Sequence, residues 1–144
     1  MEQDEKYMRE ALAEARAAAA EGEIPIGAVV VWKGRVIGRG HNLTETLHDT
    51  TAHAEMIAIT AASGAMGGKY LTDCTLYVTV EPCPMCAGAL AWTQITRIVY
   101  GAPDPRRRYS LFHPPLLHPK TAVRSGVLAD ECSALMLDFF QARR

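Results

Sequence analysis

The sequence lacks any long hydrophobic run. The longest apolar stretches, such as residues 26–32 with one glycine inside, are far shorter than the ~20 residues that a membrane-spanning helix requires. The chain also begins with an acidic segment, residues 1–5, and carries no basic segment followed by an apolar one, which is the pattern of a signal peptide. We therefore expect a cytoplasmic protein with no membrane partner.

The sequence also lacks an excess of either charge. Its 15 Lys and Arg against 16 Asp and Glu give a net charge of −1, which argues against binding of nucleic acid through bulk electrostatics. The distribution is uneven, because residues 1–96 hold 7 basic and 12 acidic side chains, whereas residues 97–144 hold 8 and 4. The basic last third fits either a solvated surface or a rim that binds a polyanion.

Cysteine is scarce, with four residues in the chain. Two disulfides would suit a secreted protein, but without a signal peptide a reducing compartment favours thiolate ligands. We expect Cys83 and Cys86 to be ligands, and Cys74 and Cys132 to be packed thiols.

Residue patterns predict one α/β domain that spans residues 1–144, since 144 residues with 49% hydrophobic content can bury one core. Periodicity and turn residues predict helices at 4–21, 52–62, 84–93 and 129–142, strands at 26–32, 35–40, 74–80 and 97–100, and a loop at 101–115. Ser63 and Gly64 are expected to end the second helix. Gly38 and Gly40 predict a bulge or a close backbone approach. Strands interleaved with helices predict three layers, α/β/α, around a mixed and roughly five-stranded sheet.

Two short motifs supply three metal ligands and one spare carboxylate. His53-Ala54-Glu55 is followed twenty-eight residues later by a motif that begins at Glu81 and includes Cys83 and Cys86. Structural zinc sites usually close the tetrahedron with four ligands, whereas catalytic sites keep three and leave one position open. Because both motifs are predicted to begin helices, the helix dipoles would favour thiolates there. Glu55 is a plausible proton carrier beside the metal.

Each residue also has a less specific interpretation. A lone His53 fits a surface or capping residue, and a single Cys-x-x-Cys pair fits redox chemistry or structural zinc as well. Glu81 fits either a surface carboxylate or a support for the site, and Trp32 and Trp92 are interpreted as packing residues. Together, however, His-x-Glu and Pro-Cys-x-x-Cys match the signature of zinc nucleobase deaminases.

The sequence resembles the cytidine deaminase-like fold and, within it, the bacterial tRNA-specific adenosine deaminases. The segments that carry the resemblance are residues 24–29, 51–55, 75–89 and 125–132, followed by Phe139-Phe140. The resemblance implies conversion of adenosine to inosine at the wobble position of the tRNA anticodon. It also implies a homodimer, with the anticodon stem-loop as partner. The apolar residues of helix 84–93 make that helix a candidate for the contact between subunits.

The resemblance further implies roles for individual residues. His53, Cys83 and Cys86 would bind one zinc ion per subunit, zinc-bound hydroxide would attack carbon six of the purine, and Glu55 would move the protons. The base and its neighbour would be contacted by Asn42, Ala54, Pro25, Ile26, Gly27, Val80, Pro82 and, at the ribose of the neighbouring nucleotide, Asp104.

The chain departs from the family after Asp104. Many members continue with a lysine, small residues and a Gly-Ser pair, whereas this chain has Arg106, Arg107, Arg108 and Tyr109. These four residues are candidate RNA contacts, with Tyr109 or Phe112 able to stack on a splayed base. The alternative is a solvated loop with buried anchors.

Two other functions stay open at the level of sequence. One is a small-molecule deaminase of guanine, cytosine or a nucleoside with the same zinc chemistry. The other is a zinc-stabilised RNA-binding module without catalysis, in which Glu55 would have no purpose.

Overall fold

Five strands form one mixed sheet. The computed structural model describes residues 2–106 and 109–143. β1 (Gly27–Trp32) pairs antiparallel with β2 (Arg35–His41) on one side and with β3 (Cys74–Val80) on the other, and parallel pairs join β3 to β4 (Arg97–Ala102) and β4 to β5 (Ala122–Arg124). The order across the sheet is β2-β1-β3-β4-β5.

Helices cover both faces of this sheet. They are α1 (Gln3–Ala20), the short α2 (Thr44–Leu47), α3 (Ala54–Met66), α4 (Pro84–Thr93) and α5 (Ala129–Gln141). Side chains alternate along each strand, so Ala28 and Val30 pack towards α3 and α4, while Val29 and Val31 pack towards α1. The predicted three-layer α/β/α fold with a mixed five-stranded sheet is confirmed.

Glycines allow the helices to approach the sheet closely. A Cβ atom on Gly38 would lie 2.5 Å from the Ala58 carbonyl oxygen of α3, and one on Gly40 would lie 2.6 Å from the Ile57 side chain. The β1–β2 register also shifts between Val30 and Val31. The predicted bulge and close approach are therefore both present, and they fix α3 against β2.

Two local predictions were wrong, and one strand was not predicted. Ser63 and Gly64 do not end α3, which continues to Met66 and stops at Gly67 in the left-handed conformation. A glycine inside a helix costs only about 1 kcal/mol, so Gly64 is tolerated. A glycine in the left-handed conformation is a common end of a helix, so α3 stops at Gly67. Trp92 is 84% exposed and is not a packing residue. The β5 strand has no sequence signal because its three residues are all exposed.

Two other features of the described residues concern the thiols and the helix lengths. Cys74 and Cys132 are buried and free, as predicted. Among the described residues, no helix is both long enough and apolar enough to cross a membrane.

Candidate active site

The candidate site lies where β3 ends and where α3 and α4 begin. His53 is the N-cap of α3 and Cys83 is the N-cap of α4, each with extended backbone angles, and Cys86 follows in the first turn of α4. Pro84 occupies the start of α4, where its missing N–H group removes no helical hydrogen bond. The prediction that both motifs begin helices is therefore confirmed.

The three ligand side chains converge on one point. Their ligand atoms all lie within 4.8 Å of one another. His53 Nδ1 is 3.6 Å from Cys83 Sγ and 3.5 Å from Cys86 Sγ. A tetrahedral zinc ion with Zn–S bonds of about 2.3 Å and a Zn–N bond of about 2.05 Å requires sulfur and nitrogen to be about 3.6 Å apart. The residues present thus fit a zinc ion without rearrangement.

The electrostatics of the two thiols differ. The hydrogen bond between Cys86 and Cys83 lowers the pKa of Cys83 to about 4, and the contact with His53 acts in the same direction. The same sulfur–sulfur hydrogen bond, together with burial, raises the pKa of Cys86. Metal binding requires thiolates, and one of the two is already favoured by its surroundings.

Glu55 is buried beside the ligands. It lies in the first turn of α3 with 4% exposure. Burial raises the pKa of Glu55 to about 7, and the charge of Cys83 acts in the same direction. A carboxyl group whose pKa is close to neutral can both accept and release a proton at physiological pH. Its position therefore suits proton transfer next to a metal site.

The register of the sheet brings other predicted site residues to the same edge. Ala28 pairs with Val78 in the antiparallel β1–β3 ladder, which places Ile26 across from Val80. The Gly27 N–H group donates a hydrogen bond to Thr79 Oγ1 at 3.2 Å. Pro25, Gly27 and Val80 are buried, and Ile26 is half-buried.

Asn42 reaches the same edge from β2. Its backbone N–H group donates to the Ile26 carbonyl oxygen at 3.2 Å, and the next residue, Leu43, donates to Ala52 just before α3. Asn42 as a whole is 4% exposed. Within residues 2–106 and 109–143 its amide group has no hydrogen-bond partner, which leaves it available to a ligand.

Next to this edge of the sheet, the structure locates part of the predicted RNA-contacting segment. The Arg106 backbone N–H donates a hydrogen bond to Asp104 Oδ1 at 2.9 Å, and Arg106 is exposed. Tyr109 is half-buried, packs edge-to-face on Tyr100, and donates its backbone N–H to the Pro82 carbonyl oxygen at 3.3 Å. The predicted contacts Arg107 and Arg108 lie outside the described residues.

A groove of about 340 Å³ continues from this segment along residues 109–123. Tyr109, Phe112, His113 and His118 are among the side chains that line it. Phe112 is 47% exposed. Planar side chains of this kind are able to stack on unpaired bases.

One contact at the site has no signal in the sequence. The Ser110 hydroxyl donates a hydrogen bond to Glu81 Oε2 at 3.0 Å, across 29 positions of the chain. Serine is common in exposed loops, so only the folded chain identifies this one. Glu81 itself is 4% exposed, which excludes the interpretation as a surface carboxylate.

Comparison with known families agrees with this geometry. Residues 1–102 match the family described as the cytidine and deoxycytidylate deaminase zinc-binding region. The chain belongs to this zinc-binding deaminase family. The grouping of His53, Cys83 and Cys86 fits the zinc site of this family, and the protein is a zinc-dependent deaminase.

Two relatives within this family are similar along nearly the whole chain. The tRNA-specific adenosine deaminase of Bacillus subtilis (strain 168) is 46% identical over 149 residues, with 100% of this chain and 92% of that protein covered. The chloroplastic tRNA(adenine(34)) deaminase of Arabidopsis thaliana is also 46% identical over 97% of this chain, which spans only 12% of that longer protein.

Solved structures of two deaminases resemble the fold. One comes from studies of A-to-I editing by tRNA:A34 deaminases at the wobble position of transfer RNA, with a TM-score of 0.85, 43% identity, and coverage of 90% of this chain and 98% of that one. The guanine deaminase of Bacillus subtilis has a TM-score of 0.67 and 40% identity, with coverage of 72% of this chain and 66% of that one.

Proposed function

We propose that this deaminase converts adenosine to inosine at the wobble position of a tRNA anticodon. The observation that carries the substrate is the full-length similarity to the tRNA-specific adenosine deaminase of Bacillus subtilis, because it extends through residues 103–144 beyond the zinc-binding region. An anticodon loop is already unpaired, so extrusion of its base costs only a few kcal/mol. A nearly neutral chain can therefore bind RNA through shape and a local basic segment.

The mechanism assigns the chemistry to groups at one edge of the sheet. A zinc ion held by three protein ligands supplies Lewis acidity and lowers the pKa of water. In the proposal, buried Glu55 takes one proton from the attacking water and gives it to the ring nitrogen. It then takes the second proton from the new hydroxyl group on carbon six and gives it to the amino group, which leaves as ammonia. Its pKa of about 7 supports both steps.

In the same proposal, a ring of residues around Glu55 holds the base. Asn42 hydrogen-bonds the base with its side-chain amide, and the backbone of Ala54 contacts the base. Pro25, Ile26, Gly27, Val80 and Pro82 form the pocket wall. The sheet register supports this assignment, because the start of β1, the end of β2 and the end of β3 lie at one edge.

Contacts outside the pocket complete the proposed RNA site. Asp104 contacts the ribose of the neighbouring nucleotide, and Arg106, Arg107 and Arg108 bind phosphates. Tyr109 serves as a stacking surface at the start of the groove along residues 109–123. The protein would act in the cytoplasm, where tRNA is modified, as a homodimer formed through α4. Exposed Met85 and Trp92 on α4 support that interface.

The test compares Glu55→Gln with the wild-type protein on an anticodon stem-loop RNA. The variant cannot carry the proton, so turnover of an anticodon stem-loop RNA should fall by at least about 100-fold, while zinc content and RNA affinity stay at wild-type values. Glu10→Gln at a half-exposed position of α1 is the matched control. Deamination is measured by conversion of adenosine to inosine in the RNA; undiminished turnover by Glu55→Gln would rule out this mechanism.

Guanine deaminase activity is the second candidate, favoured by the 40% identity with the guanine deaminase structure. One assay that offers both free guanine and the stem-loop RNA distinguishes the two functions. Turnover of free guanine without turnover of the stem-loop RNA would replace the proposed substrate and leave the zinc chemistry in place.

A further inference from the structure

Glu81 is a buried carboxylate that the proposed chemistry does not use. It directly follows β3, and its backbone N–H donates to the Ala102 carbonyl oxygen at the end of β4, at 2.8 Å. A carboxylate removed from water is costly unless hydrogen bonds satisfy it. The fold therefore needs hydrogen-bond partners for this buried side chain, which an apolar residue would not need.

The two oxygens of Glu81 bind opposite ends of one loop. Oε1 accepts a hydrogen bond from the Asp104 backbone N–H at 3.3 Å, and Oε2 accepts one from the Ser110 hydroxyl at 3.0 Å. Residues 104–110, which we name the basic loop, include the three consecutive arginines. The carboxylate thus joins both ends of the basic loop to the strand that leads into the zinc site.

The next residue strengthens this attachment. The Pro82 carbonyl oxygen accepts the Tyr109 N–H at 3.3 Å, and Pro82 directly precedes the zinc ligand Cys83. Two successive residues before the ligand therefore fasten the basic loop. A displacement of this loop would move Arg106 and Tyr109 relative to the proposed metal site.

We propose that Glu81 is a positioning residue that holds Asp104 and Ser110, the two ends of the basic loop, beside the zinc site so that Arg106 meets the RNA backbone. The inference rests on the proposed RNA substrate. It assigns to Glu81 a role in substrate binding through residues 104–110 and no contact with the reacting atoms.

The experiment compares Glu81→Ala, Glu81→Gln and Ser110→Ala. Glu81→Ala removes both acceptors, so the KM for an anticodon stem-loop RNA should rise about 10-fold, equivalent to about 1.4 kcal/mol of binding, with kcat within about 2-fold and zinc content unchanged. Glu81→Gln should restore a near wild-type KM, because its carbonyl oxygen can accept from Asp104 and its amide can donate to Ser110. Ser110→Ala should give an intermediate KM.

Limited trypsin digestion tests the attachment without any substrate. Cleavage at the arginines of the basic loop should be at least several-fold faster in Glu81→Ala than in wild type. Asp4→Ala is the stability-matched control, because it removes a buried carboxylate that binds Arg97 at the opposite end of β4. It should leave cleavage within the basic loop unchanged. If Glu81→Ala does not fold, Ser110→Ala at its exposed position carries the same comparison.

Three results would overturn the inference, and they differ from failure of the proposed function. A normal KM with reduced kcat or lost zinc in Glu81→Ala would show that Glu81 supports Cys83 instead. Loop cleavage no faster than in Asp4→Ala would exclude the attachment. Failure of Glu81→Gln to restore KM would exclude hydrogen bonding as the cause. Wild-type protein that deaminates no RNA would instead refute the proposed substrate, and with it the binding role of Glu81, whatever the digestion shows.

Discussion

Asp4 joins the first helix to three strands, and its removal tests how the sheet is held. Its carboxylate accepts two hydrogen bonds from Arg97, both at 2.7 Å, one from the Tyr77 hydroxyl at 2.8 Å and one from Arg124 at 2.6 Å. These partners belong to β4, β3 and β5. The Asp4 side chain is 7% exposed.

The expected loss of stability follows from the exposure of its partners. Breaking a fully buried ion pair costs about 3–5 kcal/mol, and an exposed pair contributes about 0–1 kcal/mol. The Arg97 side chain is 33% exposed and the Arg124 side chain 44%, and Arg124 also contacts Glu2. We therefore expect Asp4→Asn to lower the free energy of unfolding by about 2 kcal/mol, and Tm by about 4–8 °C.

The effect should depend on pH in one direction. The Arg97 hydrogen bonds hold the pKa of Asp4 well below its usual range, although burial opposes them. A carboxylate whose pKa is depressed by folding stabilises the protein fully above its unfolded pKa of about 3.9 and loses that contribution as the pH falls further. The difference between wild type and Asp4→Asn should be constant from pH 7 to about pH 5 and should shrink below about pH 4.

Urea unfolding followed by circular dichroism at several pH values measures this difference. Acid also releases zinc from both proteins, and the comparison between them cancels that shared effect. Glu131→Gln, which removes the exposed ion pair with Arg9, is the control and should cost less than about 1 kcal/mol. A cost below about 0.5 kcal/mol for Asp4→Asn at pH 7, or an undiminished difference at pH 3, would refute the reasoning.

Two further predictions concern α3 and α4. Gly38→Ala should lower the free energy of unfolding by about 1–3 kcal/mol, since its Cβ would lie 2.5 Å from the Ala58 carbonyl oxygen. Gly64→Ala should raise the free energy of unfolding by about 0.5–1 kcal/mol, because a Cβ there meets nothing within 4 Å. Thermal unfolding measures both variants, and a shift of Tm in the same direction in both would contradict the packing argument. Trp92→Glu should convert the proposed dimer into a monomer of 15.7 kDa, as measured by light scattering, whereas wild-type protein already at that mass would disprove the interface.

Much of the fold could be predicted because its elements carry periodic patterns. The β-branched runs of β1 and β3 and the apolar spacing of α1 and α5 are properties of neighbouring residues. The β5 strand could not be predicted, since three exposed residues show no alternation and are placed by pairing with β4. Trp92 was misjudged for a related reason: its exposure depends on which face of α4 meets the sheet.

The candidate site also combines features that the sequence predicts with features that it does not. The grouping of His53, Cys83 and Cys86 at a site that fits zinc could be predicted because the residue types and their spacing within each motif are local. The roles of Glu55, Asn42 and the other base contacts stay predictions, as does the extent of the domain over residues 1–144. The fastening of residues 104–110 by Glu81 had no local signal.

The sequence by itself determined the chemistry of the metal site, because thiolates, an imidazole and a spare carboxylate in two short motifs are a property of the chain. Tertiary structure alone decided how that chemistry is surrounded. The antiparallel register of β1 and β3 places Ile26 across from Val80, burial raises the pKa of Glu55 to about 7, and Glu81 binds a loop 29 positions away at Ser110. These features arise from contacts between distant segments, and such contacts exist only when the sheet has assembled.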